Sequence, residues 1–218
     1  MEKFQEKDLP LRGMLRLQKK GPQADAYIAG CKPIWEQAIA DGKLRNGTVF
    51  AIEDQIFVYY ESTVTFHLEE YLPEIADYVF QWPGQAELRS YVPMMKYYQS
   101  LPMEEVSDWK RLPGTVPTLS VSRMDIDKLQ SYIFYHYQLQ ESRPGGNGRY
   151  LGIWGSEDWC VLYNQKNPEQ PVQTQYKGKT SSFDCPDGCW REYMVPHFYT
   201  WPDGELYQQA AILLHVQE

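Results

Sequence analysis

The sequence predicts an α+β protein of two tandem ferredoxin-like units, packed sheet to sheet as an intramolecular dimeric α+β barrel. Three observations predict it. The first is an internal repeat: Tyr27-Ile28, Cys31, Arg45, Val49-Phe50, Glu53-Asp54 and Val58-Tyr59 recur as Tyr132-Ile133, His136, Arg149, Ile153-Trp154, Glu157-Asp158 and Leu162-Tyr163. The offset is 105 at the first pair, 104 after the first helix and 102 at Tyr91-Val92 and Tyr193-Met194. A near-constant offset marks one supersecondary unit built twice. The second observation is that each half reads β-α-β-β-α-β, the split motif. The third is geometric: helices cover one face of such a sheet, and a second copy of the sheet is the natural cover for the other.

The elements follow in order. Residues 1–10 are a lead-in closed by Pro10, and unit one spans 11–112. Leu11 to Leu17 reads as a strand. Gln23 to Ala40 reads as an amphipathic helix, with Tyr27, Ile28, Cys31, Ile34, Trp35, Ala38 and Ile39 on one face. Pro33 should kink it, and Asp41-Gly42 should close it. Thr48 to Ile52 and Gln55 to Tyr60 read as a hairpin turning at Glu53-Asp54. Leu72 to Val79 and Gln85 to Ser100 are expected helical, and 104–112 is the expected last strand. Residues 113–117, inside the Pro- and Gly-rich stretch Leu112 to Pro117, are the linker.

Unit two spans 118–218. Thr118 to Ser122 is its first strand and Asp125 to Glu141 its helix. Tyr150 to Trp154 and Trp159 to Tyr163 are its hairpin. Residues 164–187 are a polar insertion, Cys189 to Thr200 a helix, and Ala210 to Val216 an apolar terminal strand.

Bulk properties exclude several classes. With 29 acidic against 21 basic residues the formal charge is −8, so no basic stripe is available to displace counterions from nucleic acid. No run of 18 or more apolar residues is present, so no membrane span is expected. The N-terminus lacks an apolar signal region, and a cytoplasmic location follows as the expectation. Cys31 and Cys160 read as isolated buried thiols. Cys185 and Cys189 have the wrong spacing for a redox or zinc pair and read as flanking a turn. No cofactor or metal is called for.

Chemistry concentrates in unit two. Tyr132 and His136 lie four residues apart on one helix face, and a phenol beside an imidazole suits proton transfer near neutral pH. The alternative is a structural histidine among Phe134, Tyr135 and Tyr137. Trp190 offers an indole plane for stacking, or else core packing. His67 and His197 are expected on surfaces, and His215 in the terminal strand. No G-x-S-x-G elbow, dinucleotide fingerprint or P-loop is present.

On these residues the chain resembles the L-rhamnose mutarotase family. In unit one the resemblance runs through Arg16-Leu17-Gln18-Lys19, Tyr27-Ile28, Trp35 and Arg45-Asn46-Gly47-Thr48-Val49-Phe50, with Cys31 and Gly47 where the family has a histidine and a tyrosine. In unit two Tyr132-Ile133-Phe134-Tyr135-His136 fits Y-I-x-x-H, and Trp190-Arg191-Glu192-Tyr193-Met194 resembles the family's W-W-x-x-M tract with its first tryptophan kept. The resemblance implies His136 as general acid/base with Tyr132 as its partner. It further implies that Trp190, Tyr150 and Tyr193 contact a small sugar whose anomers interconvert by ring opening and closure. The alternatives are a non-catalytic carbohydrate or small-ligand binding protein, a partner protein, and a cofactor-free monooxygenase of the dimeric α+β barrel type. A monomer with internal pseudo-twofold symmetry is expected.

Overall fold

The computed structural model describes residues 10–99, 111, 114–142, 150–166 and 189–218, with backbone alone at 139–142, 166 and 189–191. In chain order the elements are β1 (Leu11–Gln18), α1 (Gln23–Gly30), α2 (Lys32–Ala40), β2 (Leu44–Ile52), β3 (Gln55–Ser62), α3 (Leu68–Tyr71), α4 (Ile75–Tyr78), β4 (Trp82–Pro83), β5 (Leu88–Arg89), β6 (Val92–Pro93) and β7 (Met95–Gln99). They continue with β8 (Val116–Met124), α5 (Leu129–Ser142), β9 (Gly152–Ser156), β10 (Trp159–Lys166), α6 (Cys189–Met194), β11 (Phe198–Tyr199), β12 (Gln208–Gln209) and β13 (Ala211–Gln217). The fold is α+β with antiparallel sheets. No helix among the described residues is long and apolar enough to cross a membrane.

The chain divides into two compact units that are not contiguous in sequence. Unit 1 holds the described residues 10–94, 111 and 210–218. Its sheet runs β13-β2-β3-β1-β6. Side chains alternate between the two faces of a strand. On one face Leu15, Leu17, Val49, Ile56 and Val58 form a single core with Ile28, Cys31 and Trp35 of the helices. On the other, Met14, Arg16, Phe50, Phe57, Tyr59 and Glu61 are buried as well. Burial on both faces explains why β2 and β3 read as continuous runs of β-branched and aromatic residues.

Unit 2 holds 95–99 and the described residues from 114 to 209. Its sheet runs β11-β8-β10-β9-β7, with β12 also on β8. The strand order repeats that of unit 1, with β7 beside β9 where unit 1 has β13 beside β2. Register fixes the equivalences. Leu15 pairs with Val58 and Leu17 with Ile56; Ser120 pairs with Leu162 and Ser122 with Cys160. Both hairpins turn through a glutamate with positive φ, 50° at Glu53 and 55° at Glu157. The same unusual backbone at the same register position is the repeat written in geometry.

Several sequence expectations are corrected here. The helix over Gln23 to Ala40 is two helices broken at Cys31, because Pro33 has no backbone N–H to give and suits only a helix's first turn. The expected helix from Gln85 to Ser100 is instead the strands β5, β6 and β7. Pro93 blocks an interior helical hydrogen bond, and the aromatic pair Tyr97-Tyr98 favours a strand. The terminal strand, expected in unit two, pairs with β2 of unit 1 from Ala211 opposite Ala51 to Gln217 opposite Asn46. The helix from Cys189 to Thr200 ends at Met194, followed by a single 3-10 turn, since Pro196 stops it. The expected strand at 104–112, apart from Arg111, and most of the 164–187 insertion lie outside the described residues.

Candidate ligand cavity in unit 2

A cavity of about 210 Å³ lies between the helix-facing side of the unit 2 sheet and its helices. β8 supplies Ser120 and Ser122, β9 Ile153, and β10 Cys160 and Leu162. α5 supplies Tyr132 and His136, one turn apart, and α6 supplies Met194. Tyr207, 45% exposed, stands at the outer edge.

Among the described residues, the polar groups that line this cavity are uncharged at neutral pH. His136 is 5% exposed, and its Nδ1 lies 2.9 Å from the carbonyl oxygen of Tyr132. A carbonyl only accepts, so the hydrogen bond places the imidazole proton on Nδ1 and leaves the lone pair on Nε2. Burial pushes the His136 pKa down to about 4; the carbonyl bond opposes this and nearby His197 adds to it. Burial, with the neighbouring Cys160 thiol, pushes the Tyr132 phenol well above its ordinary value. Burial likewise pushes the Cys160 thiol up to about 12. The Cys160 sulfur lies 3.8 Å from the Tyr132 hydroxyl. The Ser122 hydroxyl donates to the Cys160 carbonyl at 3.2 Å, and Ser120 Oγ accepts from Gln209 Nε2 at 2.7 Å.

At the matching positions unit 1 carries core residues. Its counterparts of Ser120, Ser122, Ile153, Cys160 and Leu162 are Leu15, Leu17, Val49, Ile56 and Val58, all buried in one core. Trp35 is fully buried against them and donates from Nε1 to the Tyr71 carbonyl at 3.1 Å. Its ring lies on Gly47, where an added Cβ would come within 2.4 Å of it. The repeat places Leu151 at the Gly47 position and Gln140 at the Trp35 position. Unit 2 thus replaces two core leucines by serines, forgoing about 1.5–3 kcal/mol of apolar burial for each. Such a departure from core chemistry is characteristic of a functional position.

The expected site residues divide. His136 and Tyr132 come together on the cavity wall, their rings 4.2 Å apart. Tyr150 is buried and Tyr193 is 42% exposed, its ring 5.6 Å from that of Tyr135; neither lines the cavity. The side chain of Trp190 lies outside the described residues. His197, expected on a surface, is buried, its Nε2 2.7 Å from Ser131 Oγ and its ring edge-on to Tyr132. Ser120 and Ser122 are the residues the sequence reading missed. Their signal was available: serines in β8 at the positions that hold leucines one repeat earlier.

No family model and no curated protein matches the chain. Solved structures do. A "Putative monooxygenase" from Fusobacterium nucleatum is 9% identical with a TM-score of 0.44, covering 96% of this chain and 95% of its own. A "putative monooxygenase" from Lactobacillus acidophilus is 7% identical with a TM-score of 0.48, covering 96% of each. An "anthrone oxidase-like protein" is 9% identical with a TM-score of 0.41, covering 94% of this chain and 91% of its own. These are not mutarotases, which corrects the resemblance to the L-rhamnose mutarotase family and the sugar chemistry drawn from it. With its pKa pushed down to about 4, His136 is a neutral imidazole at pH 7, its one ring proton on Nδ1.

Proposed function

We propose that unit 2 is a binding module for a small, uncharged, hydroxylated aromatic molecule. The observation that carries this is the cavity opened where Ser120 and Ser122 replace the core leucines. A dry cavity near 150 Å³ is known to hold benzene, so a volume of about 210 Å³ suits a single substituted ring. Ile153, Leu162, Met194 and the Tyr207 ring supply apolar and aromatic walls, and ligand sites of this kind combine such walls with a few placed polar groups. Ser120, Ser122, Tyr132 and His136 are the polar groups that line it here. Among the described residues no charged group lines the wall, so there a carboxylate or ammonium ligand would lose its hydration without compensation.

Calorimetric titration of phenol against benzoate tests the proposal. Phenol binds, and benzoate binds at least tenfold more weakly. Ser122→Leu restores the leucine of the other repeat, fills the cavity and abolishes phenol binding while the fold is kept. Equal binding of benzoate, or undiminished phenol binding by Ser122→Leu, would overturn the assignment.

A further inference from the structure

We infer that the Tyr207 ring is the outer wall that restricts the unit 2 cavity to single-ring ligands, an inference that rests on the proposed binding role of that cavity.

Strand register identifies the counterpart of Tyr207 in unit 1. There β6 lies on β1 with Val92 opposite Arg16 and Pro93 opposite Leu15. In unit 2 β12 lies on β8 with Gln208 opposite Val121 and Gln209 opposite Ser120. Leu15 and Ser120 hold one position in the repeat, since each pairs across its sheet with the matching residue, Val58 or Leu162. Val92 therefore answers to Gln208, and Tyr91 answers to Tyr207 rather than to Tyr193, as spacing in the sequence suggests. Both tyrosines stand one residue before the same short strand.

The surroundings of the two rings differ. Tyr91 packs on the unit 1 core, which includes Leu15 and Leu17. Tyr207 instead borders the cavity together with Ser120 and Ser122. It is also the one exposed residue among the described residues that line the cavity. Its ring thus has the cavity on one side and solvent on another. A tyrosine kept at the register position of unit 1, with serines in place of the leucines, covers space rather than core.

The backbone that carries the ring is held on both sides. Before it, the Trp201 N–H donates to the Glu205 carbonyl at 2.7 Å and the Gly204 N–H to the Trp201 carbonyl at 2.8 Å. After it, β12 pairs with β8, and Gln209 Nε2 donates to Ser120 Oγ at 2.7 Å. The Tyr207 ring itself meets Phe198 edge-on at 5.5 Å, and Phe198 is buried edge-on to Tyr132. A ring anchored in this way sets a definite limit to the cavity. A space near 150 Å³ holds one benzene ring, and the cavity, at about 210 Å³, has room for one ring and not for two.

The experiment is calorimetric titration of phenol and 4-phenylphenol against wild type, Tyr207→Ala and Tyr207→Phe. Wild type should bind phenol and take 4-phenylphenol about tenfold more weakly or less, although an added apolar ring by itself favours association. Tyr207→Ala removes the outer wall and should bind 4-phenylphenol about tenfold more tightly than wild type does, or better. Tyr207→Phe keeps the ring and should keep the discrimination. Wild type that binds phenol and 4-phenylphenol alike overturns the inference, as does Tyr207→Ala that still rejects the larger compound. Admission of 4-phenylphenol by Tyr207→Phe would assign the limit to the hydroxyl and overturn it too. Loss of the folded state in Tyr207→Ala would show the ring to be core, as Tyr91 is, with the same consequence. Failure of wild type to bind phenol overturns the cavity reading and this inference with it; phenol binding without size discrimination overturns this inference alone.

Discussion

Arg111→Ala is expected to destabilise the protein by about 3–5 kcal/mol in urea unfolding, the usual cost of removing one member of a buried ion pair. The reason is Glu61, which is fully buried on the face of the unit 1 sheet away from the helices. Burial alone would push its carboxyl up. The charge and hydrogen bonds of Arg111, then Arg12 at 3.9 Å and the Tyr59 hydroxyl, outweigh burial and hold it below the ordinary carboxylate range. Arg12 Nε also donates to the Tyr59 hydroxyl at 2.7 Å, so the cluster acts as a network. In unit 2, Tyr163 and Gln165 stand at the positions of Tyr59 and Glu61: the Tyr163 hydroxyl donates to Gln165 at 2.9 Å, and Gln165 donates to Thr115 at 3.3 Å. The double change Glu61→Gln with Arg111→Met removes both charges and should cost less than Arg111→Ala alone. A loss under about 1 kcal/mol for Arg111→Ala would show that the pair is not holding a buried charge.

Acidification from pH 6.5 to pH 4 is expected to destabilise the protein by up to about 3 kcal/mol through His136 alone. The folded pKa is about 4, below the unfolded value near 6.5. In this window the unfolded chain binds a proton that the folded chain refuses. The contribution is thus fully present above pH 6.5 and is lost as pH falls toward the folded pKa. His215 is shifted in the same direction by burial and adds to the slope. The carboxylates of Asp54 and Glu61 are held low, so their contributions fade only at more acid pH. His136→Phe should flatten the stability profile between pH 6.5 and 4 while leaving the more acid limb in place. A wild-type profile that is level over this range would contradict the buried, neutral imidazole.

Much of the architecture was legible in particular residues. The repeat was written in Tyr27-Ile28 against Tyr132-Ile133 and in the two Glu-Asp turns, because a tight hairpin and a buried helix face constrain the sequence at fixed spacing. The destination of β13 was not legible. An apolar strand at the chain's end pairs equally well, by its own composition, with any open sheet edge, and only tertiary structure chooses β2. The run from Gln85 to Ser100 misled for a related reason: its strands have two to five residues, too few for a period of two to outweigh helical spacing. At the site, His136 and Tyr132 were found by their four-residue spacing. Ser120 and Ser122 were missed because serine in a short strand reads as an ordinary polar alternation. Their meaning appears only when the register of β8 on β10 is laid over that of β1 on β3.

The most direct test of the account is a crystal structure of the protein grown with 4-bromophenol, located by the anomalous signal of bromine. The account predicts one bromine in unit 2, enclosed by Leu162, Met194 and Tyr207, and none in the helix-facing core of unit 1. A cavity empty of bromine at saturating ligand, or bromine bound only elsewhere on the protein, would contradict it.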